Sequence, residues 1–353
     1  MSLKPRKIAE LFALIAVGLI GALVAVLVGL PIPYLLGSLI VTATFSLITF
    51  ARTGKRLWFP QPLRSVFIAI VGTMIGAGFS SDLLSMAPSL VFTLLGMVLF
   101  VGIVQAFNYT VFCKVGGLDP VTARYAALPG GLIEAVTMGE KAGGDVEKLS
   151  VQHFVRIVLV ILTVPMLFLL VTGDAVGSSA GETMTHRTSV WFDWITTISV
   201  AIVGLGVGRL LRLPAGILIG PLILAAAVQS SGVVDLQGPA ILLNASQVII
   251  GASLGSQFAQ STLRQLLVAL GLGVLSVWGM LAIASLFALV LVHVTEMSFQ
   301  TLLVSFAPGG LTEMSLVALS LEVNPVLITA HHMFRILFTV FMADFAARFS
   351  SQP

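Results

Sequence analysis

Long apolar stretches separated by short polar loops run along nearly the whole chain. Three of them contain no charged residue: positions 83–113, 213–234 and 265–292. Each is longer than the roughly 20 residues that a helix needs to cross the hydrocarbon core of a bilayer. The apolar stretch at positions 8–30 is longer than the h-region of a usual signal peptide, and we interpret it as a retained first helix. The pattern predicts an all-α polytopic membrane protein.

A proline followed by two glycines occurs twice in closely similar surroundings. Positions 127–134 have the sequence ALPGGLIE and positions 306–313 the sequence FAPGGLTE. We call the separation along the chain between Pro129 and Pro308 the repeat offset. The same offset relates further pairs: Gly72 and Gly251, Gly76 and Gly255, Phe79 and Phe258, His153 and His332, and Arg156 and Arg335. A register kept over this length indicates an internal duplication.

Each copy is predicted to contain six hydrophobic elements. In the first copy we place them at 8–30, 33–50, 64–81, 84–112, 119–142 and 147–171. The fifth element differs from the others because Pro129, Gly130 and Gly131 interrupt it, and proline removes a helix donor while glycine loosens the backbone. The fifth element is therefore either a broken crossing helix or a re-entrant hairpin.

Loop charges favour the hairpin. Short cytoplasmic loops are enriched in Lys and Arg, and both the N-terminus and the 51–64 loop are basic, which places the N-terminus in the cytoplasm. Residues 173–191 hold two acids against one arginine and are predicted to form an external linker. Membrane repeat 1 at 8–172 and membrane repeat 2 at 192–348 would then each have five crossings plus one hairpin, and the two repeats would be inverted.

The composition excludes a soluble domain. Hydrophobic residues make up 58% of the 353 positions and charged residues 9%, whereas soluble domains carry about 25% charged residues. The single cysteine, Cys113, excludes an internal disulfide, and the five histidines form no ligand cluster, so we expect no catalytic centre, metal or cofactor. Basic residues lie in short loops and not in a separate domain, so the expected partner is the lipid bilayer and not nucleic acid. Homo-oligomerisation is left open.

The two interruptions are the candidate binding site. In secondary transporters, inverted repeats place interrupted helices near the middle of the membrane, where exposed helix ends bind substrate or ions. Half-helices starting after Gly130 and Gly309 would direct backbone N–H groups and a positive dipole end at such a site. The predicted substrate- or ion-binding residues are Pro129, Gly130, Gly131, Glu134, His153, Arg156, Pro308, Gly309, Gly310, Glu313, His332 and Arg335.

The roles of the charged members stay open between structure and function. Glu134 and Glu313 would either bind a cation or proton or cap their own helices. Arg156 and its copy Arg335 would either hold hairpin carbonyls and glutamates or bind an anion, with the nearby histidines as a proton-linked switch. The paired glycines with small-xxx-small spacing are expected to pack helices closely, and Asn108 and Tyr109 would line a cavity or satisfy a neighbour.

The motifs LPGGLIEA and FAPGGLTE, with HFVRI and HMFRI downstream, resemble the AbrB family of bacterial inner-membrane proteins, whose members carry an internal duplication. The resemblance covers nearly the whole chain. Family members are described as regulators of gene expression or as ammonia monooxygenases, and the family is distinct from the soluble DNA-binding AbrB. The scattered histidines do not favour an oxygenase. We expect an ion- or proton-coupled secondary transporter of a small charged solute, with a membrane regulator as the alternative.

Overall fold

The computed structural model describes residues 5–79, 87–172, 191–260, 263–321 and 323–350. Over these ranges the chain is helical and contains no strand. The helices of the first copy are α1 Pro5–Val28, α2 Pro33–Thr53, α3 Gln61–Ala77, α4 Ala87–Lys114, α5 Pro120–Ala126, α6 Leu132–Lys141 and α7 Val146–Thr172. Those of the second are α8 Trp191–Leu210, α9 Gly216–Ser231, α10 Ala240–Ser256, α11 Leu263–Val292, α12 Phe299–Phe306, α13 Leu311–Ser320 and α14 Pro325–Ser350.

Seven of the described helices are long and apolar enough to cross a membrane. They contain the segments Lys7–Val28, Pro33–Thr53, Pro88–Lys114, Val146–Leu170, Trp191–Leu210, Leu266–Val292 and Pro325–Phe345. Many large apolar side chains on these helices are exposed, as expected where lipid is the solvent. The chain is thus a multi-pass helical membrane protein, which confirms the predicted fold class.

The same helix order occurs in both copies. Helix α3 shifted by the repeat offset begins and ends where α10 does, and α6 shifted in the same way coincides with α13. The offset found in the sequence therefore also spaces these helices. Inversion of the two copies in the membrane stays a prediction, and residues 173–190 of the proposed linker lie outside the described residues.

The chain forms two compact units, and each unit combines segments from both copies. The first unit comprises Met1–Ser81, Pro165–Thr262 and Ser315–Val326. The second unit comprises Asp82–Val164, Leu263–Met314 and Leu327–Pro353. The repeat boundaries predicted from the sequence thus do not coincide with the boundaries of these units.

In the first unit, glycines allow helices of different copies to pack with their backbones in contact. A Cβ placed on Gly72 of α3 would overlap the carbonyl oxygen of Leu218 in α9. A Cβ on Gly251 of α10 would lie 2.6 Å from the carbonyl oxygen of Leu35 in α2. Such close approach requires residues without a side chain, and it confirms the packing role predicted for these glycines.

The fifth element of the first copy doubles back on itself. Helices α5 and α6 are separated by the non-helical residues 127–131, which we call the first tip. The backbone N–H of Asp145, which follows α6, donates a hydrogen bond of 2.9 Å to the hydroxyl oxygen of Thr122 at the start of α5. Both ends of the element therefore lie side by side, as in a hairpin. The corresponding second tip, residues 307–310, separates α12 from α13.

The two hairpins begin with different caps, which gives a pH-dependent prediction. The Asp119 carboxylate accepts the N–H of Thr122 at 2.9 Å, and the copy-related Ser298 hydroxyl accepts the N–H of Thr301 at 3.2 Å. The Thr122 backbone hydrogen bond lowers the pKa of Asp119 below its ordinary value. The cap's contribution is therefore complete above the ordinary aspartate pKa of about 3.9 and is lost as the pH falls further, towards the lowered pKa.

We expect Asp119→Ser to match the parent protein at neutral pH but to lose less stability on acidification, because serine caps without a titrating charge. Asp119→Ala should cost about 1 kcal/mol at neutral pH. Thermal unfolding in detergent between pH 3 and pH 7 measures both effects. Parallel pH profiles for the parent protein and Asp119→Ser would contradict the assignment of this carboxylate as an ionised cap.

Candidate functional site

Two side chains of α7 hold the first tip through its carbonyl oxygens. A terminal guanidinium nitrogen of Arg156 donates to the carbonyl of Leu128. The Nε2 atom of His153 lies 3.0 Å from the carbonyl oxygen of Tyr125 at the end of α5. A carbonyl can only accept a hydrogen bond, so Nε2 of His153 carries a proton. These bonds satisfy carbonyls that the interruption leaves without a helical partner.

The second tip is held in the same way by α14. Arg335 donates from its two terminal nitrogens to the carbonyls of Ala307 and Gly309. The Nε2 atom of His332 lies 3.0 Å from the carbonyl oxygen of Val304. The bonds to Val304 and Ala307 join residues that correspond, by the repeat offset, to the residues joined at the first tip. The bond to Gly309 has no such counterpart among the bonds described for the first tip. Of the alternatives left open for the arginines, these hydrogen bonds confirm the contact with hairpin carbonyls, and binding of an anion stays a prediction.

The two arginines concentrate positive charge inside the second unit. Arg156 is 5% exposed and Arg335 is fully buried. Both side chains lie at the first tip, since Arg156 binds the Leu128 carbonyl and Arg335 lies beside Gly130. Among the described residues, neither arginine forms an ion pair with a carboxylate, and neither Nε atom has a hydrogen-bond partner. Because buried charge is costly without compensation, a negative charge beside these two groups would be stabilising.

Each tip lies beside a helix of the other copy. A Cβ placed on Gly130 would lie 3.7 Å from Nε of Arg335 and 3.5 Å from the Cα of Ile336. A Cβ placed on Gly309 would lie 3.3 Å from a methyl carbon of Val160 in α7. Each tip therefore packs against the last helix of the other copy, and the Arg335 side chain that binds the second tip lies beside Gly130 of the first.

The two glutamates fold back over the glycines that precede their helices. Helix α6 begins at Leu132 and α13 at Leu311, one residue later than predicted. A Cβ on Gly131 would lie 2.9 Å from Oε2 of Glu134, and one on Gly310 would overlap Oε2 of Glu313. This placement is typical of a glutamate in the third helical position of a capping box and supports the capping interpretation. Glu134 is exposed, whereas Glu313 is 5% exposed.

Both tips lie in the part of the chain that is similar in sequence to known proteins. The family described as "Transition state regulatory protein AbrB" matches residues 45–351, which include both tips and both His–Arg pairs. The chain belongs to the AbrB family. It is 27% identical over 329 residues to "Putative regulator AbrB" of Escherichia coli (strain K12), covering 92% of this chain and 91% of the relative. It is 25% identical over 348 residues to "Uncharacterized protein YhjN" of Bacillus subtilis (strain 168), covering 92% and 89%.

The adjacent histidines of this AbrB-family protein have different partners. His331 Nε2 lies 2.8 Å from the hydroxyl oxygen of Thr93, whereas His332 contacts the second tip. Across the described residues, no three His, Cys, Asp or Glu side chains form a group that could hold a metal ion. The two side chains diverge, as their neighbouring positions on one helix predicted.

The two polar residues of α4 have different roles. The Asn108 amide accepts the Ser276 hydroxyl at 2.8 Å and donates to the Ala127 carbonyl at 3.4 Å, so it satisfies neighbours. Tyr109 lines a cavity of about 360 Å³. Gln105 and Arg124 line the same cavity, and neither was among the residues predicted to bind substrate.

Substitution of the glycine at the first tip should be costly. Gly131 has a φ of 67°, so Gly131→Ala adds a left-handed backbone cost of about 1 kcal/mol and also displaces the Glu134 carboxylate. Gly143→Ala is the matched control, because Gly143 has a φ of 85° but nothing within 4 Å of a new Cβ. Thermal unfolding in detergent should show a larger loss for Gly131→Ala. Equal losses would mean that the capping contact contributes nothing.

Proposed function

We propose that this AbrB-family protein is an ion- or proton-coupled secondary transporter of a small charged solute, located in the bacterial inner membrane with a cytoplasmic N-terminus. The observation that carries the proposal is that each interruption packs against the last helix of the other copy and is bonded by a buried arginine. Non-helical backbone at membrane depth is tolerated where protein or a water-filled cavity satisfies it, and such breaks occur at transporter binding sites.

The charge at the tips supports an anionic solute. Arg156 and Arg335 supply two positive charges, and the helices that start after the tips direct positive dipole ends into the same region. Glu134 and Glu313, one exposed and one buried, are the candidate carriers of a coupling proton or cation. A carboxylate that changes its exposure between two conformations would couple ion binding to the movement of the solute.

Flux measurements in proteoliposomes test the proposal. We expect an imposed proton gradient to drive uptake of a small organic anion, and Glu134→Gln combined with Glu313→Gln to lower the flux at least about tenfold, because an amide cannot release a proton. Glu140→Gln is the matched control, since Glu140 is an exposed glutamate of the same helix as Glu134. Absence of solute and proton flux under every imposed gradient would exclude the transporter.

A membrane regulator of gene expression is the second candidate function, favoured by the descriptions of the family and of the E. coli relative as regulators. Such a regulator would act through a partner protein or a sensed solute, since the described residues are membrane helices with short connections. Expression profiling of a deletion strain separates the candidates. If the protein is a regulator, a variant that is inactive in transport should still restore normal expression in the deletion strain. If it is a transporter, such a variant should not.

A further inference from the structure

A second candidate site lies beside the first tip. Within the second unit, residues of α4, α5, the first tip and α14 surround the cavity of about 360 Å³. Its volume falls within the roughly 300–1,000 Å³ of small-molecule sites. The residues that matter for its chemistry are Gln105, Tyr109, Arg124, Leu128 and Met342. Arg124 provides the only formal charge of the described lining.

Comparison of the two copies shows that the polar lining is not needed to build a hairpin. By the repeat offset, Gln105, Tyr109 and Arg124 correspond to Ala284, Ala288 and Leu303. Those three residues are buried and apolar. The second copy nevertheless forms the same histidine and arginine bonds to its tip carbonyls. The polar trio is therefore an addition to the first copy, and a structural role common to both copies does not account for it.

The lining combines an anion-binding end with apolar walls. Arg124 supplies a guanidinium and Tyr109 supplies a hydroxyl to the same cavity. The Gln105 amide nitrogen donates to the Arg124 carbonyl at 2.8 Å, which fixes the orientation of the amide. Its Oε1 atom is buried and has no hydrogen-bond partner among the described residues. Leu128 and Met342 contribute apolar surface to the same cavity.

We propose that this cavity binds an amphipathic anion: a carboxylate or phosphate held by Arg124 and Tyr109, an apolar body against Leu128 and Met342, and a donor group to Oε1 of Gln105. Such an anion is either a free organic acid or an anionic lipid. For the free acid, the cavity would be a loading site of the proposed transporter, and only this part rests on the proposed function. Occupancy would reach the first tip directly, because the carbonyl of Leu128 is bound by Arg156.

Binding of defined probes to the full-length protein in detergent tests the site. The probes are 4-hydroxybenzoate, an acid with an aromatic body and a donor group, and dioleoylphosphatidylglycerol, an anionic lipid. Arg124→Leu and Tyr109→Ala introduce the residues that the second copy uses, so both variants should fold. We expect Arg124→Leu to weaken binding of one probe roughly tenfold or more, as loss of a charge-assisted hydrogen bond does. Arg52→Leu, which removes an exposed arginine of α2, should leave binding unchanged.

The outcomes separate the two sources and the two proposals. Loss of 4-hydroxybenzoate binding in Arg124→Leu supports a free acid, and loss of lipid binding alone supports the lipid. Binding of neither probe, or binding that Arg124→Leu leaves unchanged in a protein that melts like the parent, overturns the cavity proposal. Specific binding without any flux would leave the cavity in place and remove the transporter. Flux that is insensitive to Arg124→Leu would leave the transporter in place and remove the loading-site role of the cavity.

Discussion

Replacing Gly251 with leucine should prevent the first unit from forming. A Cβ at this position would overlap Oγ of Ser38 and lie 2.6 Å from the carbonyl oxygen of Leu35 and 3.2 Å from the backbone nitrogen of Leu39. The two backbone atoms belong to α2 and cannot rotate away as a side chain could. Overpacking costs about 1–3 kcal/mol when neighbours adjust, and we expect at least the upper end because α2 and α10 would have to separate. Size-exclusion profiles and melting temperatures in detergent measure the loss.

The control for this prediction is Gly206→Leu. Gly206 lies on α8 in the same unit, and a Cβ there would have nothing within 4 Å. The copy-related Gly72→Leu should behave like Gly251→Leu, since its new Cβ would overlap the Leu218 carbonyl oxygen. Monodisperse protein with parental stability for Gly251→Leu would show that α2 and α10 do not pack as described.

Replacing Arg335 with methionine should destabilise the second unit by about 2–4 kcal/mol, because it removes a charged donor from each of the carbonyls of Ala307 and Gly309. Within the described residues, the Ala307 carbonyl keeps only the neutral N–H of Gly309 as a donor. A similar-sized apolar residue is sometimes neutral where it replaces a complete buried ion pair. That precedent does not apply here, because the partners of Arg335 are backbone carbonyls that stay behind. Arg335→Lys should recover only part of the loss, since an ammonium lacks the fork that reaches both oxygens.

The melting temperatures of Arg335→Met, Arg335→Lys and the parent protein should therefore decrease in the order parent, lysine, methionine. Arg52→Met is the control, because Arg52 is exposed in the last turn of α2. Arg156→Met should repeat the effect at the first tip through the Leu128 carbonyl. A methionine variant that melts at or above the parental temperature would show that the guanidinium does not hold the tip.

Features that depend on local pattern were predictable from the sequence. The length of the apolar stretches predicted the membrane helices, and the predicted elements at 33–50 and 84–112 correspond to α2 and α4. The Pro-Gly-Gly sequence predicted the interruption, because proline and glycine disturb the helix at their own positions. The boundaries were less accurate: the third element was predicted at 64–81, and the described helix is Gln61–Ala77.

Features that depend on contacts between distant segments were not predictable. Nothing local indicates that each compact unit combines both copies, because that partition follows from contacts such as Gly251 against α2. The different exposure of Glu134 and Glu313 arises from their surroundings, although their sequence positions are equivalent. Arg124 was visible as a charge in an apolar element, but only its replacement by Leu303 in the second copy marks it as unusual.

Crosslinking of the first tip to α14, the helix that binds the second tip, tests the central claim most directly. With Cys113→Ser as background, cysteines at Gly130 and Ile336 should form a disulfide on mild oxidation, because a Cβ at Gly130 lies 3.5 Å from the Cα of Ile336. The pair Gly130→Cys and Leu337→Cys is the control, since Leu337 is 46% exposed and lies on another side of α14. Mass spectrometry of the digested protein should detect the 130–336 linkage in high yield and little 130–337 linkage. Failure of the first pair to crosslink in folded protein would contradict the packing of the first tip against the helix that holds the second tip.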